Sequence, residues 1–309
     1  MQLVEQAIKR FEGVIDGGAI EWERYLKPED KSRVIPAEAL AERGKARLLL
    51  GAEAEQGLTL PWEKTHGKVL IKRGKVALWA GWSRHGKTQM LKHLMLHGIK
   101  SSERPLVASM EEEVLEVWTD MATMACANPE PSSRNIDAFV NFVRGKLWLY
   151  DQQGRVDSRR IQAVIRYAAA ELGVTQVVVD SLMMLAIDRD DYDAQSRFVG
   201  DLKSVAKDTG VTVHLVAHMR KRDGKGSEDS PGGLHDIAGG HEIGSMVDYV
   251  FIPWRNMKDT SAPCLLRVEK ARGRYNWVGN VGLNFHTGSR QFVEDAHPMR
   301  FWEGESVAF

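Results

Sequence analysis

Residues 81–88 constrain this chain more than any other stretch. They read Gly81-Trp82-Ser83-Arg84-His85-Gly86-Lys87-Thr88, a full match to the pattern G-x-x-x-x-G-K-[ST]. An apolar run at 76–80 precedes the match, and helical spacing over 88–100 follows it. In that setting the glycines let successive backbone N–H groups curl around phosphate oxygens. The helix that follows points its positive end at the same place. Lys87 brings a charge to the β- and γ-phosphates, and the Thr88 hydroxyl can ligate Mg²⁺. Gly81 to Thr88, with Gln89 in the next turn, are therefore candidates for binding a nucleoside triphosphate, ATP or dTTP, together with Mg²⁺. His85 is bulkier than such a loop requires, and the sequence offers no reason for it.

The rest of the chain extends this strand–turn–helix unit. Apolar runs at 105–109, 147–150, 177–179 and 211–217 predict further strands, with helices predicted over 113–126, 159–172 and 195–209. The run 177–179 is wholly apolar, as a strand covered on both faces requires. Three later runs, 249–253, 264–269 and 281–286, read as antiparallel strands. The expected fold is α/β: a mostly parallel, doubly wound sheet with an antiparallel C-terminal extension. Its ligand should sit at the carboxyl ends of the parallel strands. Residues 1–60 differ. Helical spacing of Val4, Ala7, Ile8, Phe11 and Ile15, then a second helix over 37–50 between Pro36 and Gly51, predicts a helical arm or linker. Residues 57–67 read as loop. The expected division is an arm over 1–60 and an ATPase domain over 61–309.

Composition narrows the partners. The 42 basic and 42 acidic residues cancel, which disfavours a protein that coats nucleic acid over its whole surface. A cleft or channel that gathers positive charge remains compatible with it. Cys126 and Cys264 are the only cysteines, with no CxxC pair, so free thiols are expected rather than a zinc ribbon or a disulfide framework. No stretch approaches the ~20 apolar residues that cross a bilayer. The first residues lack a signal peptide's apolar core. A cytoplasmic protein without a membrane partner is expected, in the host cytoplasm if phage-encoded.

Two acids complete the chemistry. Asp180 ends the apolar run 177–179 and can organise the metal beside the phosphate loop. An acid at a strand tip is common, and this one carries weight only because of the glycine loop upstream. Glu111, just past the second strand, can orient an attacking water. Glu113, at the start of the next helix, suits the helix dipole.

The motifs also come in a particular order. The glycine loop is followed by Ser109-Met110-Glu111-Glu112, then residues 177–182 (VVVDSL), residues 213–221 (VHLVAHMRK) and residues 268–273 (VEKARG). Over roughly residues 57–290 this series resembles the RecA-like motor domain of the DnaB, Twinkle and phage primase-helicase superfamily. The resemblance implies an NTP-hydrolysing replicative DNA helicase that moves along single-stranded DNA as a homo-oligomeric ring, a hexamer. It implies Glu111 as catalytic carboxylate, Asp180 as metal-organising acid and His218 as the polar sensor of the γ-phosphate. Lys270 and Arg272 would be inserted into the neighbouring subunit's site, with Arg272 as arginine finger; the bland alternative is an ordinary basic strand face. The polar, glycine-rich stretch after His218 would face DNA. Arg220, Lys221, Arg222 and Lys225 would supply charge, and Gly239 and Gly240 close backbone approach. No aromatic residue sits there, so base stacking is not expected. Residues 1–60 are too short for the collar or primase such proteins carry, which leaves a separate primase or loader as partner. Two other classes compete: a RecA-like recombination or annealing mediator that binds single-stranded DNA without unwinding, and a P-loop small-molecule kinase. The Lys270–Arg272 pair and the terminal antiparallel strands favour the helicase.

Overall fold

The computed structural model describes residues 14–15, 22–25, 37–50, 56–188, 191–220, 227–238, 240–259, 263–273, 277–295 and 297–302. Its strands are β1 (Val14–Ile15), β2 (Gly57–Thr59), β3 (Leu70–Lys72), β4 (Val76–Gly81), β5 (Pro105–Ser109) and β6 (Trp148–Tyr150). They continue with β7 (Gln176–Asp180), β8 (Thr212–His218), β9 (Tyr249–Trp254), β10 (Cys264–Ala271), β11 (Gly279–His286) and β12 (Gln291–Val293). The α-helices are α1 (Ala41–Leu50), α2 (Lys87–Lys100), α3 (Val114–Cys126), α4 (Ser133–Val143), α5 (Ser158–Leu172), α6 (Tyr192–Thr209) and α7 (Gly240–Met246).

Among the described residues, ten strands form one sheet in the order β1-β6-β5-β7-β8-β4-β9-β10-β11-β12. Pairing is parallel from β1 through β9 and antiparallel from β9 to β12. Successive side chains of β4 alternate between two cores. Val76, Leu78 and Ala80 enter one, and Ala77 and Trp79 the other. A strand buried on both faces has no polar side, which is why these runs read as continuous apolar stretches. The parallel strands end together along one edge, and every acid or imidazole of the expected site lies at such an end.

Three expectations need correction. β9 runs parallel to β4, with Ala77 opposite Tyr249, and only its other neighbour, β10, is antiparallel. The chain enters β9 beside the start of β4, where the Asp248 N–H donates to the Val76 carbonyl at 2.9 Å, so both strands leave in the same direction. Residues 57–67 are not loop throughout: β2 pairs antiparallel with β3, and Leu58, Leu60 and Trp62 are buried. Their alternation is a strand signal masked by Gly57 and Pro61. Val14 and Ile15 form a strand alongside Leu149 and Tyr150 instead of ending a helix. The free edge of β6 offers main-chain donors and acceptors that a short strand can satisfy. The remainder of the helix expected over 4–15 lies outside the described residues. The helix expected over 37–50 is present, its first turn as a 3₁₀ helix at Ala37–Leu40. Helix α4 was not expected; Ser132 caps it by accepting from the Asn135 N–H.

Candidate nucleotide site

The glycine loop hangs between β4 and α2. Gly86 adopts a left-handed conformation, φ 92°, and a Cβ there would lie 2.6 Å from Cζ of Phe292. Glycine is thus required twice, for the backbone and for the ring above it. The Lys87 ammonium is buried and donates to the carbonyls of Gly81 (3.0 Å) and Trp82 (2.9 Å). Burial pulls its pKa down, and the charges of Asp180 and Glu111 partly restore it. His85, unexplained by sequence, is a buried member of the loop. Its Nδ1 accepts from the Arg255 N–H at 3.2 Å, and burial lowers its pKa, which keeps the ring neutral and able to accept.

Three neighbouring strand tips supply the remaining groups. From β7, Asp180 is buried and its Oδ2 accepts from the Thr88 hydroxyl at 2.6 Å. Burial first, then the charges of Glu111 and Glu112, push its pKa up to about 6 against the Thr88 hydrogen bond and Lys87. Just past β5, Glu111 Oε1 accepts from the Ser181 hydroxyl at 2.5 Å and lies 3.6 Å from His218 Nε2. The His218 imidazole, then Ser181 and Lys87, hold Glu111 below its ordinary value despite partial burial. From β8, His218 stands level with Gly81. Together these groups surround a cavity of about 240 Å³. Ser83, Arg84, Gly86, Lys87, Thr88 and Gln89 line one side, and Glu111, Asp180 and His218 face them.

Sequence reasoning missed four residues of this cavity: Glu112, Arg255, Phe285 and Phe292. The Arg255 guanidinium lies 4.3 Å above the Phe285 ring, a cation–aromatic pair at the rim that pairing across β9, β10 and β11 assembles. Glu112 reaches the Lys92 ammonium at 2.7 Å. Lys92, almost fully buried in α2, also lies 2.8 Å from Asp120. Asp120 in turn accepts from Gln89 at 2.9 Å and pairs with Arg290.

The donors suit a magnesium ion bound with its nucleotide. No group of three or more His, Cys, Asp or Glu that could hold a metal occurs among the described residues. At the start of α2 the site offers the Thr88 hydroxyl beside the buried carboxylate of Asp180, whose burial favours a cation next to it. A hard ion that takes its other ligands from phosphates and water needs no more.

Other expected site residues lie elsewhere. Lys270 and Arg272 stand at the end of β10 that meets the start of β9, where Ala271 pairs with Tyr249 and the Arg272 N–H donates to the Asp248 carbonyl. That is the opposite sheet edge from Gly81, about 17 Å away by the rise of a six-residue strand. Lys270 donates to the carbonyls of Gly244 (2.9 Å) and Ser245 (2.6 Å), and Arg272 to Ser245 at 2.9 Å. A register shift between Val268 and Lys270 interrupts the pairing, yet both side chains reach the same helix end. Arg220 is exposed and lies over the Tyr192 ring. Gly240 opens α7. Lys221, Arg222, Lys225 and Gly239 lie outside the described residues. The stretch after His218 is closed at its base, because Met219 and Ile237 form an antiparallel bridge. It is also tied to the glycine loop: Trp82 Nε1 donates to the Ser230 carbonyl at 2.9 Å.

A glycine loop, a buried strand-tip aspartate and a glutamate at the next tip, all on the carboxyl edge of a doubly wound sheet, define a P-loop ATPase. The family described as "ATPase: KaiC" matches residues 66–274, and the chain belongs to it. The "DNA helicase/primase" of Enterobacteria phage T3 is 24% identical over 239 residues, covering 70% of this chain and 42% of that protein. The chain thus spans less than half of that relative's length. Among solved structures, one described as an "ATPase Domain" superposes with a TM-score of 0.71 at 17% identity, over 83% of this chain and 97% of that one. A second, a "DnaB-Like Replicative Helicase" described with its primase interactions, gives a TM-score of 0.71 at 17% identity, over 84% and 68%. The fold is RecA-like, with a parallel sheet and antiparallel C-terminal strands as the sequence implied. No helix among the described residues is long and apolar enough to cross a membrane.

Proposed function

We propose that this chain is the motor of a replicative DNA helicase, hydrolysing ATP in a homo-oligomeric ring, a hexamer, that travels on single-stranded DNA. The observation that carries this reading is the position of Lys270 and Arg272 on the sheet edge away from their own glycine loop. Two cations there cannot serve the phosphates held by Lys87 of the same copy. They can serve those of an adjacent one. A cation beside the transferring phosphoryl accelerates such reactions by about 10³–10⁵.

In one copy, Lys87 and the loop amides would hold the β- and γ-phosphates, and Thr88 and Asp180 would hold Mg²⁺, which when bound would supply charge neutralisation for the phosphates. Glu111, kept ionised by His218 and Ser181, orients water for in-line attack. Arg255 over Phe285 at the rim offers a flat cationic surface for a nucleobase. His218 joins the phosphate side to the stretch closed by Met219 and Ile237, so its contacts can move with phosphate loss. The basic residues Arg220, Lys221, Arg222 and Lys225, with Gly239 and Gly240, are read as the DNA-holding surface. The phage T3 relative is a helicase/primase, and the second solved structure is a replicative helicase described with primase. Both favour a helicase that works with a primase over a strand-annealing mediator.

The test measures ATP hydrolysis with and without single-stranded DNA, and strand separation on a forked duplex, for the unaltered chain and Arg272→Ala. Strong stimulation with unwinding, both lost in Arg272→Ala, is expected. Stimulation without unwinding would indicate the mediator instead, and indifference to DNA would overturn both.

A further inference from the structure

Three cations converge where α7 ends. Lys270 and Arg272 share the Ser245 carbonyl, and Lys203 of α6 donates to the Met246 carbonyl at 2.5 Å. The carbonyls at a helix C-terminus carry a partial negative charge that favours such donors. Asp248 is the carboxylate that acts on Lys270; it already accepts from the Val76 N–H and lies 3.8 Å from Lys75. Positive charge is therefore in excess. Burial, then Arg272 and Lys203, draw the Lys270 pKa down to about 8.

We propose that the Ser245 carbonyl is a placeholder for a phosphate oxygen, and that Lys203 is a positioning residue that keeps α7 moored when Lys270 and Arg272 turn to a nucleotide on the next copy. This rests on the intersubunit reading above. Lys270 and Arg272 are folded back onto this helix end, and a head group that swings outward to a phosphate on the next copy leaves it, so engagement next door strips Ser245 of both donors. Lys203 comes from a different element and has a different acceptor, so its bond survives the exchange. Helix α7 packs on the short helix Leu234–Asp236, with Leu234 against Gly244. That turn belongs to the stretch rooted at His218. The stretch is accordingly held at one end by its own nucleotide site and at the other by cations that answer to a neighbour's.

The test is amide hydrogen exchange across residues 240–247 of the full chain, with and without a non-hydrolysable ATP analogue and Mg²⁺. In the unaltered chain the analogue should speed exchange several-fold. In Lys203→Met the analogue-dependent increase should grow to about tenfold or more, and Lys203→Arg should return it to the original value. Exchange indifferent to the analogue in the unaltered chain would overturn the placeholder. Equal acceleration in Lys203→Met with and without analogue would overturn the positioning role, because simple packing would do that. Mixing Arg272→Ala with Lys87→Ala chains tests the parent reading separately. Recovered hydrolysis without an exchange change removes only the placeholder, and no recovery removes the shared site itself.

Discussion

Burial holds the Asp180 carboxyl at about 6, above its ordinary 3.8, so the folded protein keeps a proton that the unfolded chain releases between those values. Stability from this group is undiminished below about pH 4, is lost as pH rises toward 6, and stays lost above. A shift of this size is worth on the order of 3 kcal/mol. Asp180→Asn should therefore raise the thermal midpoint of the nucleotide-free protein at pH 7.5 and leave it nearly unchanged at pH 4, while Mg²⁺-dependent hydrolysis disappears. A lower midpoint at pH 7.5 would mean that the carboxylate is structural. Gly86→Ala meets both a left-handed backbone and the Phe292 ring. It should cost about 1–3 kcal/mol of stability and weaken nucleotide binding in a titration with labelled ATP. At this scale the sequence was most informative where chemistry dictates type and spacing together, as at Lys87, Thr88 and Asp180. His85 was opaque because its partner, the Arg255 N–H, lies 170 positions away. Arg255 itself carries no motif and acquires meaning only through the ring of Phe285.

Among the elements, α2 is bound to the tip of β5, where Glu111 stands, by more than packing. Lys92 lies between Glu112 and Asp120. Glu112 follows Glu111 directly in sequence, and Lys92 stands one turn beyond Thr88. Breaking a buried ion pair from one side costs about 3 kcal/mol. Lys92→Met should therefore lower the thermal midpoint by several degrees and reduce kcat more than it raises KM, whereas Lys92→Arg should recover most of both. A loss of stability with kcat intact would separate the pair from the chemistry. The strands buried on both faces were legible from their unbroken apolar runs. β2 was not, since Gly57 and Pro61 imitate a turn and only the alternation of Leu58, Leu60 and Trp62 betrays it. The direction of β9 was misread because polarity alone does not record which neighbour a strand chooses. The Asp248–Val76 hydrogen bond decides it.

For the whole molecule, the separation of Gly81 from Arg272 across the sheet would, on the proposed intersubunit reading, make hydrolysis a property of assemblies. Lys87→Ala and Arg272→Ala should each be inactive alone. Mixtures should regain a fraction of the original rate that peaks near equal proportions, read by phosphate release after subunit exchange. A flat zero at every ratio would overturn the shared intersubunit site. The order of the motifs led us to expect these roles for Lys87 and Arg272, but not the distance between the two residues. That distance depends on β10 running antiparallel to β9 and so carrying its last residues back to the far edge.

This reversal of β10 has a consequence for architecture. If Arg272 serves the next copy, as proposed above, each copy would present a socket on one flank and a plug on the other, a head-to-tail contact that copies itself indefinitely. In an open row, the first socket and the last plug are idle, so one turnover centre is forfeited however many copies join. Closing the row into a circle recovers it without any new contact type. A track threaded through such a circle would be gripped by copies that all have a working neighbour, with no copy left at an end to stall.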